Sequence, residues 1–349
     1  MMKKILAVLT VLALAWPQFA QAQSESAVPF LLITPGARAN GMGEAFVAIA
    51  NDATATYWNP AGLAFLSKRE ISLMHSNWLP QLASDLFFDY GSIVYPMEGL
   101  GTFGLAVTYL NLGTQIITGE DSPEPLGEFS SNEFAIAASF GSKLSKNLAL
   151  GLSLKYIRSN LASVGAGAEK GDGRANAFAF DLGLLRQNLF VNGLSFGLNL
   201  TNMGPKVVYI DASQADPLPT NLRLGFAYKL LDQEFNKITV AVEFDKLLVR
   251  KYQDGTSDAW YKALITSWTD EDFNTEMKRV ITNVGLEYWY SNIIALRTGY
   301  HYDEIGKVKY FTFGAGLKYS LYQLDFGYIS AGEGHPLSDT MRFSLAIGF

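Results

Sequence analysis

Ten charged side chains recur at alternate positions of strand-like segments, on the face that also carries Gly, Ala and Ser. They are Lys155, Asp181, Arg223, Glu243, Asp245, Glu287, Arg297, Lys318, Asp325 and Arg342. Such groups do ionic chemistry: they pair with one another and with an internal segment, or they line a charge-selective pore. Both signs are present and neither dominates, which favours pairing. Catalytic sets are harder to assemble. The histidines are His75, His301 and His335, and no two of them have metal-ligand spacing. His301 follows Arg297 and Gly299 on one strand face, where a lone imidazole reads as a member of a polar network. Ser153 and Ser195 fall on the inward face. A lipase built into a barrel wall needs Ser beside His on the outside, so no triad emerges. Asp270-Glu271-Asp272 lacks the alternating carboxylates and the Gly of a calcium loop. Cys is absent, which removes disulfides, thiolate metal sites and Cys nucleophiles. No metal and no cofactor are expected, and an enzyme is the least favoured class.

The elements that carry these charges alternate with period two. Leu148, Leu150, Leu152, Leu154 and Tyr156 oppose Ala149, Gly151, Ser153 and Lys155; Tyr322, Leu324, Phe326 and Tyr328 oppose Gln323, Asp325 and Gly327. A Lys or Arg on a lipid-facing wall costs roughly 2–4 kcal/mol at mid-membrane, so the charged face is the lumen. Fourteen such segments follow Lys68, at about 69–79, 85–95, 101–112, 129–141, 147–159, 174–186, 193–202, 219–231, 236–246, 279–290, 292–302, 307–319, 321–330 and 339–349. Even-numbered connections are short (Pro96–Leu100, Ser142–Lys146, Ser291, Ser320). Odd-numbered ones are mostly long (Leu110–Glu128, Asn160–Gly173, Met203–Leu218, Leu247–Lys278), with Asp303–Gly306 the exception. Short periplasmic turns alternating with long external loops are the mark of an outer-membrane barrel. The expected fold is all-β: a 14-stranded antiparallel transmembrane β-barrel. Its last strand ends on Phe349, the aromatic terminus by which barrel assembly is directed.

The amino terminus agrees with export. Lys3 and Lys4 precede the apolar run Ile5–Trp16, and Ala20-Gln21-Ala22 reads as a cleavage site, giving a signal peptide over 1–22 cut after Ala22. That run is shorter than the roughly 20 residues of a spanning helix. Aromatics at 13% and charged residues at 17% suit a barrel with interfacial girdles. A net charge of −6, with no basic block beyond the signal, argues against nucleic acid as a partner.

Residues 23–67 lack strand periodicity and read as a plug or hatch inside the lumen, before a barrel over 68–349. A fourteen-strand lumen left empty would be a water channel. Within this segment Arg38-Ala39-Asn40-Gly41-Met42-Gly43 and Trp58-Asn59-Pro60-Ala61-Gly62-Leu63 resemble the start of the PorV/PorQ family, barrels of the FadL-like, long-chain fatty-acid transporter type. The resemblance implies a role in type IX protein secretion. The barrel would bind cargo through C-terminal sorting domains, associate with a large translocon barrel, and stay sealed by its plug. The alternative it implies is passive transport of long-chain fatty acids or other hydrophobic, detergent-like compounds across the outer membrane.

One further candidate is apolar. Trp260, Leu264, Ile265 and Trp268 recur at helical spacing within Leu247–Lys278, a loop of 32 residues. Loops of that length carry function or structure of their own. This one reads as a helix over the barrel mouth, an acyl-chain groove or a patch for a protein partner.

Overall fold

A computed structural model of the chain describes residues 26–118, 124–162, 173–211, 214–252 and 254–349. The signal peptide and its cleavage site lie outside these residues. Fourteen strands form a closed antiparallel barrel: β1 (Glu70–Asn77), β2 (Phe87–Met97), β3 (Gly101–Thr118), β4 (Pro125–Ser145), β5 (Leu148–Ala162), β6 (Gly173–Arg186), β7 (Leu194–Met203), β8 (Asn221–Asp232), β9 (Asn236–Leu247), β10 (Ile281–Tyr290), β11 (Ile294–Asp303), β12 (Val308–Tyr319), β13 (Tyr322–Ser330) and β14 (Met341–Gly348). Each strand pairs with its sequence neighbours, and β1 closes on β14 from Glu70↔Gly348 to Ser76↔Arg342. A ten-residue strand rises about 33 Å, and tilted by roughly 40° it matches an apolar band about 25 Å tall.

The two wall faces divide as the alternation predicts. In β5, Ala149 and Ser153 are fully buried, while Leu150, Leu152 and Leu154 are 45%, 41% and 59% exposed. Apolar side chains left this open have lipid as their partner. Phe134, Tyr156 and Phe178 step across β4, β5 and β6 with ring centroids 6.2 and 5.4 Å apart, an aromatic girdle at the long-loop end. That end is external and the end of tight turns periplasmic.

One connection differs from expectation. Much of Leu110–Glu128 is not loop but the outward continuation of β3 and β4 as a hairpin. The register shifts between Asn111 and Thr114, where Gly113 takes φ 74° and the Asp85 carboxylate accepts from Thr114 N. Above the girdle no lipid enforces alternation, so this stretch carries no membrane-strand pattern.

Residues 26–66 pack against the inward faces of the strands. Ala27 N donates to Pro217 O in the external β7–β8 connection, and a 3-10 turn follows at Pro29–Leu32. Two short helices, α1 (Ala37–Gly41) and α2 (Ala55–Trp58), lead to a second 3-10 turn at Pro60–Phe65. Trp58 is wholly buried. Its ring lies edge-on to Phe46 and Tyr57 at 5.8 and 5.5 Å, and its Nε1 donates to Pro35 O. Wall glycines admit this segment. A Cβ on Gly151 would lie 2.1 Å from the Pro60 carbonyl carbon, and one on Gly299 would lie 2.1 Å from Gly43 N. Only a bare backbone fits there.

Candidate functional site

The inward charges gather into three clusters, two of them tied to the amino-terminal segment. At the centre, Arg38 of α1 donates from Nε and Nη2 to the two oxygens of Glu287 on β10, both at 2.8 Å. Its Nη1 reaches Asn51 Oδ1 and Asp52 at 2.7 and 3.0 Å. Arg297 on β11 continues the chain of charges, at 2.7 Å to Glu287 and 2.7 Å to Asp325 on β13. Register places Glu287 opposite Arg297, so strand pairing itself delivers this contact. The bidentate Arg38 fork fixes both distance and orientation of the inner segment against the wall.

A second cluster surrounds Arg223 on β8. Its guanidinium lies over the rings of Tyr57 and Trp58 at 4.7 and 4.9 Å, donates to Tyr57 Oη at 2.9 Å and approaches Asp245 at 3.8 Å. Beside it, Glu243 Oε2 accepts from both Phe46 N and Val47 N at 2.7 Å, satisfying backbone donors of a non-helical stretch. At the external side Arg342 on β14 donates to Thr34 O and lies 3.7 Å from Glu44, which is 4.0 Å from His301. His301 stacks flat on Tyr310 at 4.5 Å.

The third cluster ties the wall to itself. Lys155 on β5 pairs with Asp181 on β6 at 2.8 Å and donates to Asn202 Oδ1 at 2.7 Å; Asp181 accepts from Asn202 N. Asn202 has φ 59° and sits where the β6–β7 register shifts, opposite the span from Phe180 to Leu182. The bulge is thus cross-braced by a buried ion pair. Lys318 stands apart. It is exposed in a polar recess of about 410 Å³ at the periplasmic mouth, with Arg38, Glu70 and Gln323 in the same lining.

The Asn-Pro step is a junction. Asn59 Oδ1 accepts from Ala61 N at 3.1 Å, while Nδ2 donates to Val47 O and to Leu184 O of β6, both at 3.0 Å. Ala61 is fully buried, and a Cβ on Gly62 would lie 2.1 Å from Ala50 O. Gly43 N donates to Thr312 Oγ1 at 2.9 Å, Gly41 faces Gly314, and Met42 is wholly buried. Asn40 is also buried, with its side-chain amide unpaired among the described residues. Sequence periodicity missed Glu44, Asp52 and Glu70. Glu70 accepts from Ala53 N at 2.7 Å, and all three charges act in or beside a segment without a repeat.

A family model described as type IX secretion system protein PorV matches residues 18–254. The chain belongs to the PorV family. No curated protein matches it. Among solved structures it is similar to the Ralstonia pickettii toluene transporter TbuX (14% identity, 91% of this chain and 99% of that one, TM-score 0.55). It is also similar to a Pseudomonas aeruginosa FadL homologue (12%, 90% and 98%, 0.55) and to the P. putida toluene transporter TodX (13%, 90% and 98%, 0.54). At these identities the likeness is one of fold: a FadL-like outer-membrane barrel.

In this PorV-family barrel the long β9–β10 connection forms two helices, α3 (Trp260–Thr266) and α4 (Phe273–Lys278). The four apolar candidates divide. Trp260 meets Phe180 edge-on at 5.3 Å on the outer wall, and Leu264 is half-buried. Ile265 is 74% exposed, and Trp268 lies beyond the helix with Lys246 Nζ 4.9 Å from its ring. Trp260 therefore covers the outside of the strand whose inside is braced by Asp181. His75 lies on the outer wall, His335 accepts from Leu337 N in the last external loop, and His301 is on β11.

Proposed function

We propose that this protein is a non-catalytic adaptor of type IX secretion. In this reading its external surface binds secreted cargo through C-terminal sorting domains, and its barrel docks beside a large translocon barrel. Residues 23–67 act as a plug that keeps the membrane sealed while cargo is handed on. The family match carries the secretion role, and the filled interior supports the sealing role. Transport of fatty acids or other hydrophobic compounds on the same architecture needs a route out of the lumen. Two features weigh against one. β3 pairs with both neighbours without a break from Thr102 to Asn111, and the β6–β7 bulge is braced by Lys155 and Asp181.

The test is a mild-detergent purification from the native outer membrane, with proteins and lipids identified by mass spectrometry. Co-recovery of a very large barrel and of proteins sharing a C-terminal domain is expected. A lone barrel loaded with fatty acid would overturn the adaptor role in favour of transport.

A further inference from the structure

The outer wall carries a depression of about 480 Å³ across the β14–β1–β2–β3 seam. Its floor is Gly91, in register with Leu73 on β1 and Val107 on β3, and Phe343, Leu345 and Leu324 continue its side. Gly91 differs in kind from the inward glycines. A Cβ built there meets only Leu73 Cδ2, at 3.4 Å, and no part of the chain occupies the space its side chain leaves. The surroundings are lipid-facing: Leu73, Val107 and Phe343 are 52%, 43% and 54% exposed.

At the external rim of the depression the wall turns abruptly polar. His75 Nδ1 lies 2.7 Å from Asp89 Oδ1, on the outward face of neighbouring strands. The pair is flanked by the rings of Phe87 and Tyr109, with centroids 5.9 Å (His75–Phe87) and 6.0 Å (Phe87–Tyr109) apart. This is the aromatic boundary where lipid headgroups meet acyl chains. A hydrogen-bonded polar pair on that face has no function in filling or bracing the lumen. It does have a geometry for recognition. With Nδ1 engaged by Asp89, Nε2 is the ring nitrogen left facing outward, and in the doubly protonated ring its N–H donates to a phosphate oxygen.

We propose that this depression is a specific site for one phosphate-bearing lipid of the surrounding membrane. An acyl chain lies over Gly91 between Leu73, Val107 and Leu345, and the phosphate accepts from His75. The commitment to lipid rather than to a protein partner rests on the position of the depression. It begins at the aromatic boundary of His75, Phe87 and Tyr109 and runs down the apolar band to Leu324 and Leu345. Nothing in it depends on the secretion role.

The probe is dioleoylphosphatidylglycerol titrated into the purified, detergent-solubilised barrel and followed by native mass spectrometry, with dioleoylglycerol as the headgroup-free control. Wild type should retain one phosphatidylglycerol in preference to the control. Gly91→Leu fills the floor and denies the chain about two methylenes of burial, so retention should fall roughly tenfold. His75→Gln should keep the acyl contact but erase the preference over dioleoylglycerol. Both variants must first show the heat-modifiable mobility of a closed barrel; Gly91→Ala, with room for its Cβ, stands in for Gly91→Leu if that one fails. Equal retention by wild type and the Gly91 variant overturns the site. Equal binding of phospholipid and diacylglycerol to wild type overturns recognition of the phosphate. Unchanged lipid binding in Gly91→Leu, with loss of a co-purifying protein, would reassign the depression to a protein interface.

Discussion

At the residue scale, the lumen charges were legible because lipid is intolerant. A guanidinium on the wrong wall face is costly, so alternation alone sorted Arg297, Glu287 and Asp325 inward. Their partners were not legible: Arg38, Glu44 and Asp52 lie in a segment of short turns, where no period says which way a side chain faces. What the sorted charges do follows from desolvation. Arg297→Met leaves Asp325 with Gln323 at 2.7 Å and no cation, and strips Glu287 of one of its two guanidinium partners. Breaking a buried pair costs on the order of 3–5 kcal/mol, and thermal unfolding in detergent should show a loss of that size. Arg297→Met with Glu287→Gln and Asp325→Asn should recover part of it. Gly151→Val tests the backbone contact instead. Its Cβ would fall on the Pro60 carbonyl carbon. A closed, heat-modifiable barrel with raised single-channel conductance is the expected result, and wild-type conductance would show that the inner segment accommodates the clash.

At the element scale, the fourteen strands were readable because both faces are specified, one by lipid and one by the lumen. Strand ends were not. The β3–β4 hairpin runs on into water, where Gly113 and Asp85 shape it and hydropathy is silent. The helices of the β9–β10 connection were visible as spacing, yet the stripe divides because Trp260 has a wall residue to meet and Ile265 has none. What holds α4 down is Lys246, whose Nζ lies 2.5 Å from Glu276 Oε2. Burial opposes the charged form of Glu276, but the hydrogen bond and charge of Lys246 outweigh it and hold the carboxyl below its ordinary value of 4.5. Neighbouring Asp270 is pushed upward by burial and by Glu276 itself, while Arg279 faces both. A depressed folded-state value gives stability that is full above the unfolded value and vanishes as pH falls through the folded one. Limited proteolysis within residues 248–280 should therefore accelerate as pH falls below the ordinary carboxyl value of 4.5, with the strands unaffected. In Glu276→Gln that acceleration should be absent. The inner segment has its own junction in Asn59. Asn59→Ala with Pro60→Ala removes the ties to Val47 O and Leu184 O. Increased conductance in planar bilayers is expected, and conductance equal to wild type would count against a sealing role.

At the scale of the whole molecule, the barrel was readable from loop lengths and from the final strand, whereas its contents were readable as a non-strand filling but not in their contacts. Composition explains the difference. A wall must repeat, but a filling needs only to fit, and small residues fit in many ways. Phe349 ends the chain at the periplasmic rim, its N–H donating to Arg69 O at 2.9 Å and its ring 53% exposed. Deleting Phe349 removes little folded-state burial, so a fall in heat-modifiable barrel in the outer membrane would reflect lost assembly rather than lost stability. Normal levels would contradict a targeting role for that aromatic.

The closing strand has a second duty. β14 pairs with β1 to complete the cylinder, and the same strand presents Ser344 Oγ to Ala37 N at 2.9 Å and Arg342 to the carbonyl of Thr34. The strand that closes the wall thus also clasps the inner segment. One strand therefore serves both the seam and the interior. A barrel that stops one strand short lacks both a continuous wall and the ties that hold Thr34 and Ala37, so a single edge reports on both.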